Sequence, residues 1–195
     1  MSKQIALYFG SFNPVHFGHI SIANHIINNN LCHEVWFVVS PQNPLKKSRH
    51  LALPQHRKAM LEMATQTHQH IHVCDIEFDM PKPSYTINTL ERLSQEYPEK
   101  KFSILTGMDN LLVFTQWKQW EDILNKHILL IYPRKHINSD QESPIQHHNI
   151  KILYDAPLLD FSSTSIRNCI KNGKDIKKFV PPDVADYIKE HKLYG

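Results

Sequence analysis

The residues best suited to chemistry stand near the N-terminus, where residues 10–19 read GSFNPVHFGH. His16 and His19 are three apart. At a helix start that spacing lets both imidazoles point the same way. The amides there lack intrahelical partners and carry a partial positive charge. Imidazoles and free amides together suit an anion, above all a phosphate. Gly10 lets the backbone turn close to a ligand, Asn13-Pro14 is turn chemistry, and Ser11 and Phe12 lie between them. Two histidines can also begin a metal site, but no third ligand stands nearby. Toward the other end, residues 161–167 read FSSTSIR. The hydroxyls of Ser162, Ser163, Thr164 and Ser165 can cap a helix and donate to phosphates. Arg167 adds a planar cation with several donors. Each string has a bland alternative when taken alone. The chain holds 14 histidines, so two can fall together by accident, and the second string can be an ordinary cap with a surface arginine.

The elements around these strings decide between the readings. Residues 5–9 (IALYF) form an apolar run that ends at Gly10, a buried-strand pattern. Ile20, Ala23, Ile26 and Ile27 then recur at helical spacing. Further strands are predicted at 35–39 (VWFVV), 71–74, 102–105, 128–132 (ILLIY) and 150–153. Helices are predicted from Pro54, over 86–97, through the stretch that carries Leu112 and Trp117, and near 165–171 and 183–191. Such alternation predicts an α/β fold. Its core is a Rossmann-like, doubly wound, mostly parallel sheet of five to six strands with helices on both faces. Sheets of this kind bind ligands at the carboxyl ends of their strands. Both strings sit where a strand hands over to a helix.

Bulk composition narrows the class. A chain of 195 residues with 41% hydrophobic content can bury one core, so residues 1–195 are expected to form a single domain. No run of 18 apolar residues suggests a membrane span, and no signal peptide is apparent. Three scattered cysteines predict reduced thiols and a cytoplasmic setting. A net charge of +3 is too mild for a protein that coats nucleic acid. Five glycines, none in a GxGxxG or GxxxxGK arrangement, exclude two familiar phosphate cradles.

The first string resembles the GxFxPxHxGH motif of the nucleotidyltransferase superfamily that carries the HxGH signature. Asn13 stands where many bacterial members have Asp. The second string resembles that superfamily's ISSTxxR motif, with Phe161 for Ile. The resemblance implies that His16 and His19 contact ATP phosphates and stabilise the transition state of adenylyl transfer, with Arg167 as a third catalytic residue. It also implies an ATP site lined by Gly10, Ser11, Phe12, Ser162, Ser163 and Thr164. The middle of the chain resembles bacterial nicotinate-nucleotide adenylyltransferases. Residues 41–47 (PQNPLKK) are similar to a PPHK stretch, with Lys46 matching its lysine. Residues 84–90 (SYTINTL) are similar to SYTxDTL, which assigns Ser84, Tyr85 and Thr86 to the acceptor. Residues 105–120 (LTGMDNLLVFTQWKQW) resemble a GxD…W…W pattern. The resemblance implies that Gly107 admits a flat base, Asp109 accepts from ribose hydroxyls and Trp117 stacks on a pyridine ring, with Trp120 structural.

The implied reaction joins ATP to nicotinate mononucleotide, giving deamido-NAD and pyrophosphate in NAD biosynthesis. Mg2+ is the expected cofactor, travelling with ATP and needing few protein ligands; no dedicated metal site is expected. The expected partners are ATP and a pyridine mononucleotide, without nucleic acid or membrane, and a homo-oligomer is allowed. The alternatives are another acceptor (nicotinamide mononucleotide or phosphopantetheine) or a non-catalytic nucleotide sensor on the same fold. Phosphopantetheine enzymes share both end motifs but lack the SYT and GxD…W strings. Class I aminoacyl-tRNA synthetases also carry HxGH, but this chain is too short for one. The HQHIH run at 68–72 is read as one face of an exposed strand.

Overall fold

A computed structural model of the chain describes residues 2–41, 51–133, 145–158 and 160–195. Its strands are β1 (Lys3–Gly10), β2 (Glu34–Val39), β3 (Ile71–Cys74), β4 (Lys100–Gly107), β5 (Leu129–Tyr132) and β6 (Ile150–Ile152). Its helices are α1 (Phe17–Asn28), α2 (Pro54–Thr65), α3 (Thr86–Glu96), α4 (Met108–Leu111), α5 (Trp120–Lys126), α6 (Ser163–Lys171) and α7 (Pro182–Glu190). The six strands form one sheet in the order β3-β2-β1-β4-β5-β6. Every pairing is parallel.

Alternation along the strands divides the core into two layers. Ala6, Tyr8, Val35, Phe37, Leu105 and Leu130 bury one face against Ile20 and Ala23 of α1, Met60 and Leu61 of α2, Ile166 of α6 and Ile188 of α7. Ile5, Leu7, Val38, Ile104 and Ile131 bury the other against Leu90 and Leu93 of α3, Leu111 of α4, and Ile123 and Leu124 of α5. The order reverses between β1 and β4, since β1 continues toward β2 and β4 toward β5. Gly10 and Gly107 end these two neighbouring strands, which places a crevice at their carboxyl ends.

One predicted helix is broken. The stretch through Trp117 is a single helical turn, α4, followed by a 3-10 turn at Phe114–Gln116. Trp117 is extended, and Gln119 enters the left-handed region at φ +53° before α5 begins. Buried residues at Leu111 and Phe114 keep a helix-like spacing across the break, so the apolar period persists where the backbone does not.

Gly173 closes α6. Its φ is +64°, its N–H donates to Ile170 (2.9 Å), and the Lys174 N–H donates to Cys169 (2.9 Å). These are the two bonds of a Schellman closure. A Cβ there meets no atom within 4 Å, so only backbone strain opposes one. Gly173→Ala is therefore expected to lower stability by about 1–2 kcal/mol, read by urea denaturation, with activity unchanged.

Candidate active site

The loop that leaves β1 is built around a ring. Phe12 takes the left-handed conformation at φ +46° and folds its side chain back under Gly10. A Cβ on Gly10 would lie 2.8 Å from that ring. The space that sequence reasoning reserved for a ligand beside Gly10 is thus occupied, at least on the Cβ side, by Phe12. The Asn13-Pro14 peptide is cis. His16 then stands at the N-cap of α1, with His19 in its first turn.

The two imidazoles stack, with centroids 3.7 Å apart and planes at 23°. His19 sits edge-on to Tyr8 and Phe12, and His16 edge-on to Phe161. His16 is 7% exposed. The His16 backbone N–H donates to His19 Nδ1 (3.2 Å). That bond requires Nδ1 to be the acceptor, so a neutral His19 carries its hydrogen on Nε2. The ring presents a hydrogen-bond donor at a position set by its neighbours.

The second string lies against the first. Ser163 Oγ donates to the Pro14 carbonyl (2.9 Å). Arg167 donates from Nη1 to the Asn13 carbonyl (2.8 Å) and from Nη2 to Thr164 Oγ1 (3.2 Å). Ser162 caps α6, accepting from the Ser165 N–H, while the Ser162 N–H donates to Ser165 Oγ. This is a reciprocal capping box. The serine hydroxyls therefore serve the architecture in this structure, although their string was singled out for phosphate. Lys46 lies outside the described residues.

A residue that sequence reasoning passed over joins the strand ends. Arg57, in α2, is 0% exposed. Its guanidinium donates to four carbonyls: Ala52 (2.9 Å), Ser11 (2.8 Å), Ser40 (2.8 Å) and Pro41 (3.0 Å). These belong to the loop after β1, the end of β2 and the approach to α2. Burial pulls the Arg57 pKa down to about 10, countered by Tyr194, so the group remains a cation at neutral pH. Asn13 adds a further tie, its Oδ1 accepting from the Ala52 N–H (3.1 Å).

On the other side of the crevice, Tyr85 is the N-cap of α3 and Thr86 its first residue. Neither Ser84 nor Thr86 caps this helix; the cap makes no side-chain bond. The Ser84 hydroxyl instead turns inward to Glu77 Oε2 (2.7 Å). Trp117 packs on Phe114 at 5.2 Å, and Trp120 flanks the same ring at 6.3 Å. The Lys118 ammonium lies 5.0 Å over the Tyr85 ring, which brings the Trp117 segment to the start of α3. Gly107 has an ordinary φ of −83°, so any benefit there comes from its missing side chain. Asp109 follows in the first turn of α4. His72, from the histidine run, lies 3.7 Å from Glu34 near the amino ends of the strands.

The Cytidylyltransferase-like family model matches residues 7–169, a span that includes both strings. A Flavobacterium johnsoniae protein named "Probable nicotinate-nucleotide adenylyltransferase" is 42% identical over 191 residues, covering 98% of each chain. One of the same name from Cytophaga hutchinsonii is 42% identical over 192 residues, again covering 98% of each. The fold matches that of Plasmodium falciparum nicotinic acid mononucleotide adenylyltransferase, solved in complex with NaAD. Its TM-score is 0.82 at 23% identity, over 98% of this chain and 97% of that one. By sequence identity along nearly its whole length, the chain belongs to the nicotinate-nucleotide adenylyltransferase family.

Proposed function

We propose that this enzyme transfers the adenylyl group of ATP to nicotinate mononucleotide, forming deamido-NAD and pyrophosphate. The observation that carries the reading is the paired His16 and His19 at the start of α1, braced by Ser163 and Arg167 from the far end of the chain. The acceptor's phosphate oxygen is already ionised at neutral pH, so attack on the ATP α-phosphorus needs no protein base. The protein supplies positioning and charge stabilisation.

In this scheme His16 and His19 donate to the α- and β-phosphates as charge moves to the leaving group. Arg167 braces the loop and adds positive charge. Gly10, Ser11 and Phe12 shape the floor, and Ser162, Ser163, Thr164 and Lys46 complete the triphosphate side. Gly107 and Asp109 take the nucleoside. Tyr85, Thr86 and Trp117 take the acceptor, and Ser84 holds the approach to α3 through its bond to Glu77. Magnesium bound with ATP would offset phosphate charge and would be held mainly by phosphate oxygens and water. Residues 1–195 act as one domain, in the cytoplasm.

The test is an acceptor panel with ATP, followed by pyrophosphate release. Nicotinate mononucleotide is expected to give the highest kcat/KM, with deamido-NAD as product. A preference for nicotinamide mononucleotide or phosphopantetheine would replace the acceptor. No release with any acceptor would replace the enzyme with a nucleotide sensor.

A further inference from the structure

Glu77 lies in a 3-10 turn, Ile76–Asp79, and is 2% exposed. No lysine or arginine among the described residues forms an ion pair with it. Its partners are hydroxyls. Ser84 Oγ donates to Oε2 (2.7 Å) and Thr89 Oγ1 to Oε1 (2.9 Å). Burial pushes the carboxyl above its ordinary range, and the hydroxyls of Ser84 and Thr89 pull it back. An apolar side chain can fill a buried site without this desolvation cost, so the carboxyl's distinctive contribution is to orient its donors.

Glu77 comes from the 3-10 turn after β3, while Ser84 precedes α3 and Thr89 lies within it. The carboxylate therefore fastens the approach to α3, where Ser84 adjoins Tyr85 and Thr86, the proposed acceptor residues.

We infer that Glu77 is a positioning residue for the acceptor, tying the start of α3 to the 3-10 turn after β3 through Ser84 and Thr89. This rests on the proposed function, because the acceptor side is defined by that reading. Glu77→Gln keeps the shape, one acceptor oxygen and the capacity to bond a hydroxyl, so the fold is retained. Its KM for nicotinate mononucleotide is expected to rise about tenfold, the loss of one buried hydrogen bond, while the KM for ATP stays within about twofold. Ser84→Ala is expected to raise the same KM, and the double variant to be no worse than Glu77→Gln alone, because Ser84 acts through the carboxyl.

A lowered thermal midpoint with both KM values unchanged would assign Glu77 a merely structural role and overturn the inference. Additive effects in the double variant would also overturn it, by giving Ser84 a direct contact of its own. If Glu77→Gln does not unfold cooperatively, Ser84→Thr decides: it retains the hydroxyl and should restore the KM lost in Ser84→Ala, and failure to restore it overturns the inference. Absent turnover by the unmodified enzyme would remove the proposed function and this inference together. An active enzyme with an indifferent Glu77→Gln variant removes the inference alone.

Discussion

His19→Ala is expected to lower turnover by a factor of roughly 10²–10³, or about 2.7–4 kcal/mol of barrier. The magnitude follows from a donor fixed before the substrate arrives. The bond from the His16 N–H to Nδ1 sets the tautomer, and rings at Tyr8, Phe12 and His16 set the orientation. A donor held in this way needs little reorganisation as charge builds on the leaving phosphate, whereas water filling the alanine gap must reorient. The fold should be little affected, since His19 is only half-buried. Steady-state kinetics beside a thermal melt separates the two effects. Near-normal turnover in the variant would remove His19 from the chemistry.

The largest loss of stability is expected from Arg57→Met. Methionine fills much of the volume but donates to none of the four carbonyls now bound. Leaving a buried polar group without a partner costs about 1–3 kcal/mol. Partial hydration and relaxation still leave an expected loss of at least about 4 kcal/mol, comparable with the about 5–15 kcal/mol that holds a typical domain together. Arg57→Lys keeps the charge but can reach fewer of the carbonyls, so its midpoint in urea should fall between the two. A Met variant that unfolds at the same denaturant concentration as the unmodified chain would contradict the role assigned to these bonds.

Much of the fold was readable because its signals are local. The apolar run at 35–39 has only to be buried to become β2, and the ends of α3 and α6 lie close to their expected positions. Gly173, just after α6, takes the left-handed conformation that closes the helix. Arg57 and Glu77 were not readable for the opposite reason. Within QHRKAM and DIEF each looks like a surface charge, and only closure of the chain gives it buried partners. Ser84 illustrates the same limit: its position beside the helix start was anticipated, but the target of its hydroxyl lies seven residues back. The interruption after α4 escaped because Leu111 and Phe114 keep the apolar spacing across it.

The contacts that brace the histidine loop span 149 and 154 residues of sequence. During synthesis on a ribosome, β1 and the HxGH string emerge first, but their restraints from Ser163 and Arg167 do not yet exist. A nascent chain halted before residue 163 thus has both histidines and an incompletely restrained loop. The restraints on that loop therefore form late in translation, when α6 can dock. The same separation leaves a C-terminally clipped product without these braces, even if the earlier strands have paired.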